Sequence, residues 1–388
     1  MDALIAADPD VSWSVDTLKA MSRSPSLSPG TAQMLNDLRS LVEVESPSGD
    51  LRGLAASAKV LSELLKRRLG GEVVLVESEA GPHVHWRGGG TPRVLILGHH
   101  DTVFPRGTLE RRPFSVVDGQ ATGPGVFDML GGLVQAIHGL EMLADRSGAE
   151  LLVTADEEAG SQTSRDLIEQ RARACGAVLV VEGAAEGGAL KTGRKGCGTY
   201  RIEIAGRAAH AGLGPEAGVN AVIEAANQVL VLASANAPEV GTTITPTVIS
   251  GGTTDNVVPA SATILVDVRV ATEAERERVE HLFASLTPKL DEAGLTVRGS
   301  ITRPPMPEET ASSLFAIAAQ LLPGVENRTV GGGSDGNFTA ALGIPTLDGL
   351  GAVGGGAHAD HEFISVDHMS EPGSTARWAG RRHSAGEP

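Results

Sequence analysis

An imidazole and a carboxylate two residues apart stand at the end of an apolar run, where residues 94–97 lead into Gly98-His99-His100-Asp101-Thr102-Val103. If that run is a strand, His99 and Asp101 leave it on the same side, because side chains alternate along an extended chain. A metal-binding histidine commonly needs such a carboxylate to fix its tautomer. Four other segments offer matching chemistry. Asp128 ends Gly123-Pro124-Gly125-Val126-Phe127-Asp128, ahead of Gly131-Gly132. Asp156-Glu157-Glu158 follows the apolar run 151–154, and Glu182 follows 178–181. His358 lies in Gly354-Gly355-Gly356-Ala357-His358-Ala359-Asp360-His361-Glu362. Each segment alone has a plain structural account: a satisfied core histidine, an N-cap aspartate, or a solvated strand end. Taken together, two histidines and three carboxylates with one to spare form the inventory for two zinc ions sharing a carboxylate. Cobalt or manganese would suit the same donors, whereas magnesium or calcium would not require the imidazoles.

Elements that could position these groups follow from hydrophobic periodicity. The runs 94–97, 151–154 and 178–181 predict buried strands of a mostly parallel sheet, with helices over 130–143 and 163–174 between them. Helices are also predicted over 31–44 and 55–69, and strands over 73–76 and 84–86. In open α/β sheets ligands gather beyond the carboxyl ends of the strands, where the polar segments fall. From about Gly196 the pattern changes to alternation, and a β-α-β-β-α-β order follows through 300. The expected organisation is a lead-in over 1–30, a catalytic α/β domain over 31–195 and 305–388, and an inserted α+β domain over 196–304. The glycine-rich stretches 331–336 and 351–356 match no phosphate-loop or dinucleotide fingerprint. Their expected role is to let backbone approach a ligand, with Asp335 holding the first of them.

The chain has 388 residues, long enough for two domains. With 32 Lys and Arg against 48 Asp and Glu, its net charge of −16 disfavours nucleic acid and anionic membranes as partners. Cys175 and Cys197 are the only cysteines, so a disulfide framework or a thiolate zinc site is not expected. Residues 1–29 lack a secretory pattern and no apolar stretch approaches the length of a membrane span. The expected location is the cytoplasm.

In this order the motifs resemble the two-zinc hydrolases that include glutamate carboxypeptidase, acetylornithine deacetylase, succinyl-diaminopimelate desuccinylase and aminoacylase. The likeness spans residues 31–367 and is strongest to the glutamate carboxypeptidase branch. It implies that His99 binds one zinc with Asp101 orienting it, that Asp128 bridges both ions, and that Glu182 completes the His99 ion. Glu158 and His358 would hold the other ion, and Glu157 would be the general base. The inserted domain would be a ferredoxin-like lid that also forms a homodimer. Its His210, in Gly206-Arg207-Ala208-Ala209-His210-Ala211-Gly212, resembles the family histidine that reaches the partner's site and stabilises an oxyanion. Asn256 and Arg269 resemble the residues that receive a substrate carboxylate, a task suited to an arginine fork. A strand-end salt bridge is the other account of Arg269.

The implied reaction is hydrolysis of the amide bond of a peptidyl or N-acyl amino acid, next to a free carboxylate. An N-acyl-amino-acid deacylase is the alternative within enzymes, and a metal-binding relative without catalysis is the alternative outside them. The sequence departs from the family at Leu130, where a lysine is common, and it places His100 and His361 beside the proposed ligands. Glu362, four residues after His358, favours His358 by the family spacing.

Overall fold

The computed structural model describes residues 30–369. The expected lead-in therefore lies outside the described residues except for Gly30, as does the end of the expected catalytic domain. The described chain divides into two compact units, one formed by residues up to 193 with 308–330 and 334 onward, the other by 194–307 with 331–333.

The first unit is built on a six-stranded sheet in the order Glu72–Val76, His83–Arg87, Ala149–Thr154, Val94–His99, Val178–Val180, Thr346–Leu347. The first two strands form an antiparallel hairpin that joins Ala149–Thr154 antiparallel, and the remaining neighbours are parallel. Every residue of Val94–His99 and Ala149–Thr154 is buried. A strand covered on both faces is mostly apolar rather than alternating, and the one acidic residue buried here, Glu150, is paired with His85 and Arg171. The helix Leu51–Arg68 begins four residues before the expected 55, because the Asp50 carboxylate caps it by accepting the N–H groups of Arg52 and Gly53. It buries Leu54, Ala58, Leu61 and Leu65, one stripe at helical spacing. The helix Gly131–Glu141 starts against the sheet, and a Cβ on Gly132 would lie 2.0 Å from the Val181 carbonyl oxygen. Only glycine lets that helix come so close.

A second, smaller sheet was not legible in the sequence. Gly354–Gly355 pairs with Phe363–Ser365, which pairs with Gln120–Thr122, which pairs with Ser115–Val117, all antiparallel. It joins the segment leading into Asp128 to the hairpin whose loop carries His358.

The second unit is a four-stranded antiparallel sheet in the order Thr243–Gly251, Ser261–Val270, Gly196–Ala205, Gly294–Arg303. With helices Ala221–Ser234 and Glu273–Ala284 this is the ferredoxin-like arrangement of a β-α-β-β-α-β chain. Alternate residues Tyr200, Ile202 and Ile204 meet Ile264, Val266 and Val268 in its core, and the Tyr200 ring stacks on Phe283. Asn220 caps the first helix by accepting the N–H groups of Val222 and Ile223, a contact worth about 1 kcal/mol. No helix among the described residues is long and apolar enough to cross a membrane.

Candidate metal centre

Parallel register brings three strand ends together. His99 stands opposite Thr154, and Leu97 stands opposite Val180. Glu182 thus lies as far beyond Val180 as His99 lies beyond Leu97, and the turn with Glu157 and Glu158 follows directly after Thr154. The small sheet delivers the other groups, since Thr122 is paired with Phe363. Asp128 follows the first of these strands and His358 precedes the second.

The side chains converge. His99 Nε2 lies 3.2 Å from Asp128 Oδ1 and 3.7 Å from Glu182 Oε1. His358 Nε2 lies 3.2 Å from Asp128 Oδ2 and 3.2 Å from Glu158 Oε1. The two oxygens of Asp128 therefore face different imidazoles, with a further carboxylate on each side. One ligand atom each from His99, Asp128 and Glu158 can be chosen so that all lie within 4.8 Å of one another. Glu158 Oε1 is buried, and the His358 imidazole is the group it faces. A buried carboxylate oxygen needs a positive partner, which a bound metal ion would also supply. Imidazole and carboxylate donors without thiolate suit zinc or a neighbouring divalent transition ion, so the residues fit the expected group.

Electrostatics point the same way. Burial works against a charged His99, yet the carboxylates of Asp101 and Asp128 hold its pKa well above the ordinary histidine value. Asp128 and Glu158 hold His358 up at about 10. Against its own burial, Asp128 is held far below the usual carboxylate range by His358 and His99. This cluster of carboxylates demands positive charge, and a divalent cation supplies it while leaving the imidazoles neutral.

The surrounding residues sort the neighbours that the sequence left open. His100 is buried with Nδ1 3.2 Å from Ser57 Oγ and Nε2 3.1 Å from the Pro82 carbonyl oxygen, both away from the ligand cluster. That burial lowers its pKa to about 4. His358 and His361 are both exposed, but it is His358 that faces Asp128 and Glu158. Asp101 does more than orient an imidazole. His99 Nδ1 lies 2.9 Å from the Asp101 carbonyl oxygen and 3.4 Å from its carboxylate. The same carboxylate accepts the Ser48 hydroxyl at 2.7 Å and the N–H groups of Glu157 and Glu158, both at 3.2 Å. Ser48 was missed in the sequence, as nothing local marks it. Asp335 accepts hydroxyl hydrogen bonds from Thr154 and Ser161, which flank the Glu157-Glu158 turn on either side.

Phe127 packs where a Cβ on Gly183 would lie 2.4 Å from its ring. Gly183→Ala is expected to displace Phe127 and the adjacent Asp128 and to lower metal affinity by about tenfold or more. Competition with a chromophoric chelator would measure it, and an unchanged affinity would show that the ring can move without Asp128.

His210, Asn256 and Arg269 belong to the second unit. His210 and Val257 form a bridge, and the Ala211 N–H donates to the Asn256 carbonyl oxygen at 2.9 Å, so His210 and Asn256 lie on adjoining backbone. Both are exposed. The Arg269 guanidinium donates from Nε and Nη2 to the two oxygens of Asp267, each at 3.0 Å. One edge of its fork is thus engaged by a carboxylate of the same strand.

A family model described as peptidase family M20/M25/M40 matches residues 95–373. The chain belongs to this family. As an M20 peptidase it is a metallopeptidase-type hydrolase, similar to carboxypeptidases. Carboxypeptidase G2 of Pseudomonas sp. (strain RS-16) is 33% identical over 355 residues, which cover 86% of this M20 peptidase and 85% of the relative. Succinyl-diaminopimelate desuccinylase of Ectopseudomonas mendocina (strain ymp) is 28% identical over 341 residues, covering 79% and 88% respectively. The crystal structure of a tripeptidase from Staphylococcus aureus superposes with a TM-score of 0.71 at 19% identity, covering 91% of this chain and 98% of that one. At that identity the likeness shows the fold alone.

Proposed function

We propose that this chain is a two-metal amidohydrolase that releases a carboxy-terminal amino acid from a peptidyl or acyl amide, with Glu157 as its general base. The observation that supports this most is the Asp128 carboxylate, with one oxygen toward His99 and the other toward His358. His99, Asp128 and Glu182 would hold one zinc, and His358, Asp128 and Glu158 the other, with cobalt or manganese as alternatives. When bound, such a pair of cations supplies Lewis acidity that makes a water easier to deprotonate and a carbonyl easier to attack.

Glu157 is buried, and its backbone is held by Asp101. In the proposed reaction its carboxylate takes a proton from the attacking water and returns it to the leaving nitrogen. His210 of the partner subunit would donate a hydrogen bond to the oxyanion that develops as the carbonyl is attacked. Asn256 and Arg269 receive the free carboxylate, which requires Arg269 to share its fork with Asp267 or exchange it for substrate. The proposed catalytic domain comprises residues 31–195 and 305–388, and the proposed lid residues 196–304. A second copy of the chain would dock on the lid to form a homodimer. Supporting this, Thr243–Gly251 is an edge strand with Val248 49% and Ile249 53% exposed, and the helix Ala221–Ser234 leaves Leu230 69% exposed.

The relative named as a carboxypeptidase favours release of a carboxy-terminal residue. The relative named as a desuccinylase favours a second reading, removal of an N-acyl group from an amino acid. Zinc-reconstituted protein offered a panel of peptidyl and N-acyl amino acids should hydrolyse the peptidyl members, with about two zinc ions per chain and a mass in solution twice that of one chain. Turnover confined to simple N-acyl amino acids would select the deacylase. Full metal occupancy without any turnover would favour a binding protein.

A further inference from the structure

One buried carboxylate lies outside the proposed ligand set and yet touches the segment that presents Asp128. Glu362 is fully buried, with 0% of its surface exposed. Its Oε1 accepts the N–H groups of Phe127 at 2.9 Å and Asp128 at 3.0 Å, and its Oε2 accepts that of Gly125 at 2.9 Å. Gly125 has φ +75°, and Asp128 and Met129 depart from helical angles, so this turn cannot satisfy its amides as a regular helix would. Glu362 satisfies three of them. It lies four residues after His358, in the loop closed by the pairing of Gly354–Gly355 with Phe363–Ser365.

Asp128 is thus held by Glu362 through its backbone N–H, and His358, which faces Asp128 Oδ2, shares the loop of Glu362. His99 and Glu182 are instead placed by the ends of parallel strands. We propose that Glu362 is a positioning residue that holds Asp128 in register with the His358 loop, and so weighs more on the cation of the Glu158–His358 side, where both groups are at stake, than on the one of the His99–Glu182 side, where only the shared Asp128 is. The inference rests on the two-metal reading above. A glutamine at this position keeps the volume, but its amide nitrogen cannot accept an N–H, so at least one of the three bonds is lost.

The test titrates metal-free, full-length protein with zinc against a chromophoric chelator, and with cobalt by visible absorption, for wild type, Glu362→Gln and Asp360→Asn. Asp360→Asn changes an 80% exposed side chain of the same loop and should leave both affinities unaltered. Glu362→Gln should weaken one ion by about 10- to 100-fold, the usual effect of losing a group that orients a ligand, and the other by clearly less. Its kcat should fall at limiting metal, with KM unaltered, and recover in excess metal. The inference alone is overturned if wild type binds two ions and the variant binds both unchanged, or loses both equally. It is also overturned if Asp360→Asn behaves the same way, or if metal-free Glu362→Gln is unfolded by circular dichroism. Wild type that binds no pair of ions overturns the two-metal reading, and this inference with it.

Discussion

Glu157→Gln is expected to retain its metal ions and lose kcat by about 10²- to 10⁴-fold, the contribution of a positioned general base. The amide matches the carboxylate in size but cannot take up a proton. Its placement should survive, because Asp101 holds residue 157 through the backbone N–H rather than through the side chain. The proposed ligands are untouched, with Glu158 one position further on and its own N–H on the other Asp101 oxygen. Steady-state kinetics on the best substrate of the panel, alongside metal analysis, would read both quantities. A variant that keeps wild-type kcat would remove Glu157 from the reaction. One that loses metal would make it a ligand instead.

Asp128→Ala should have a larger effect on metal than on the rest of the fold. The side chain offers one oxygen to each half of the centre, so its loss should weaken both ions and abolish measurable turnover. The affinity should fall by more than the ~10- to 100-fold that follows the loss of a merely orienting partner. Linkage supplies an independent readout. An ion that binds only the folded chain stabilises it in proportion to the logarithm of its concentration over Kd. A chelator should therefore lower the Tm of wild type and leave that of Asp128→Ala unchanged. If both proteins respond alike to the chelator, Asp128 does not bridge the ions.

Much of the first unit could be read from local pattern. An apolar run that ends abruptly in His99, in Asp156-Glu157-Glu158 or in Glu182 records a strand buried on both faces that then emerges beside a polar site. That signal needs no knowledge of distant residues. It was enough for the mostly parallel sheet, and the order of these motifs was enough for the family. The alternation after Gly196 likewise marked a sheet with one face buried, because its period of two is a property of neighbouring residues.

Other features depend on residues far apart in the chain, and these only the tertiary structure decided. His99 and His100 are adjacent in sequence, but one faces Asp128 while the other turns to Ser57 and the Pro82 carbonyl. The sheet joining Gln120–Thr122 to Phe363–Ser365 is made of strands too short, in segments too rich in glycine, to show a period. Asp50 started its helix early by a cap, Arg269 found Asp267, and Asp101 gathered Ser48 with the Glu157-Glu158 turn. Glu362 reaches backbone amides more than two hundred positions earlier in the chain. Which types of donor the chain carries, and that they stand at strand ends, was determined by the sequence alone through local burial and periodicity. Which of them meet, and what holds them there, was decided by hydrogen bonds between distant segments, and no local pattern records such a bond.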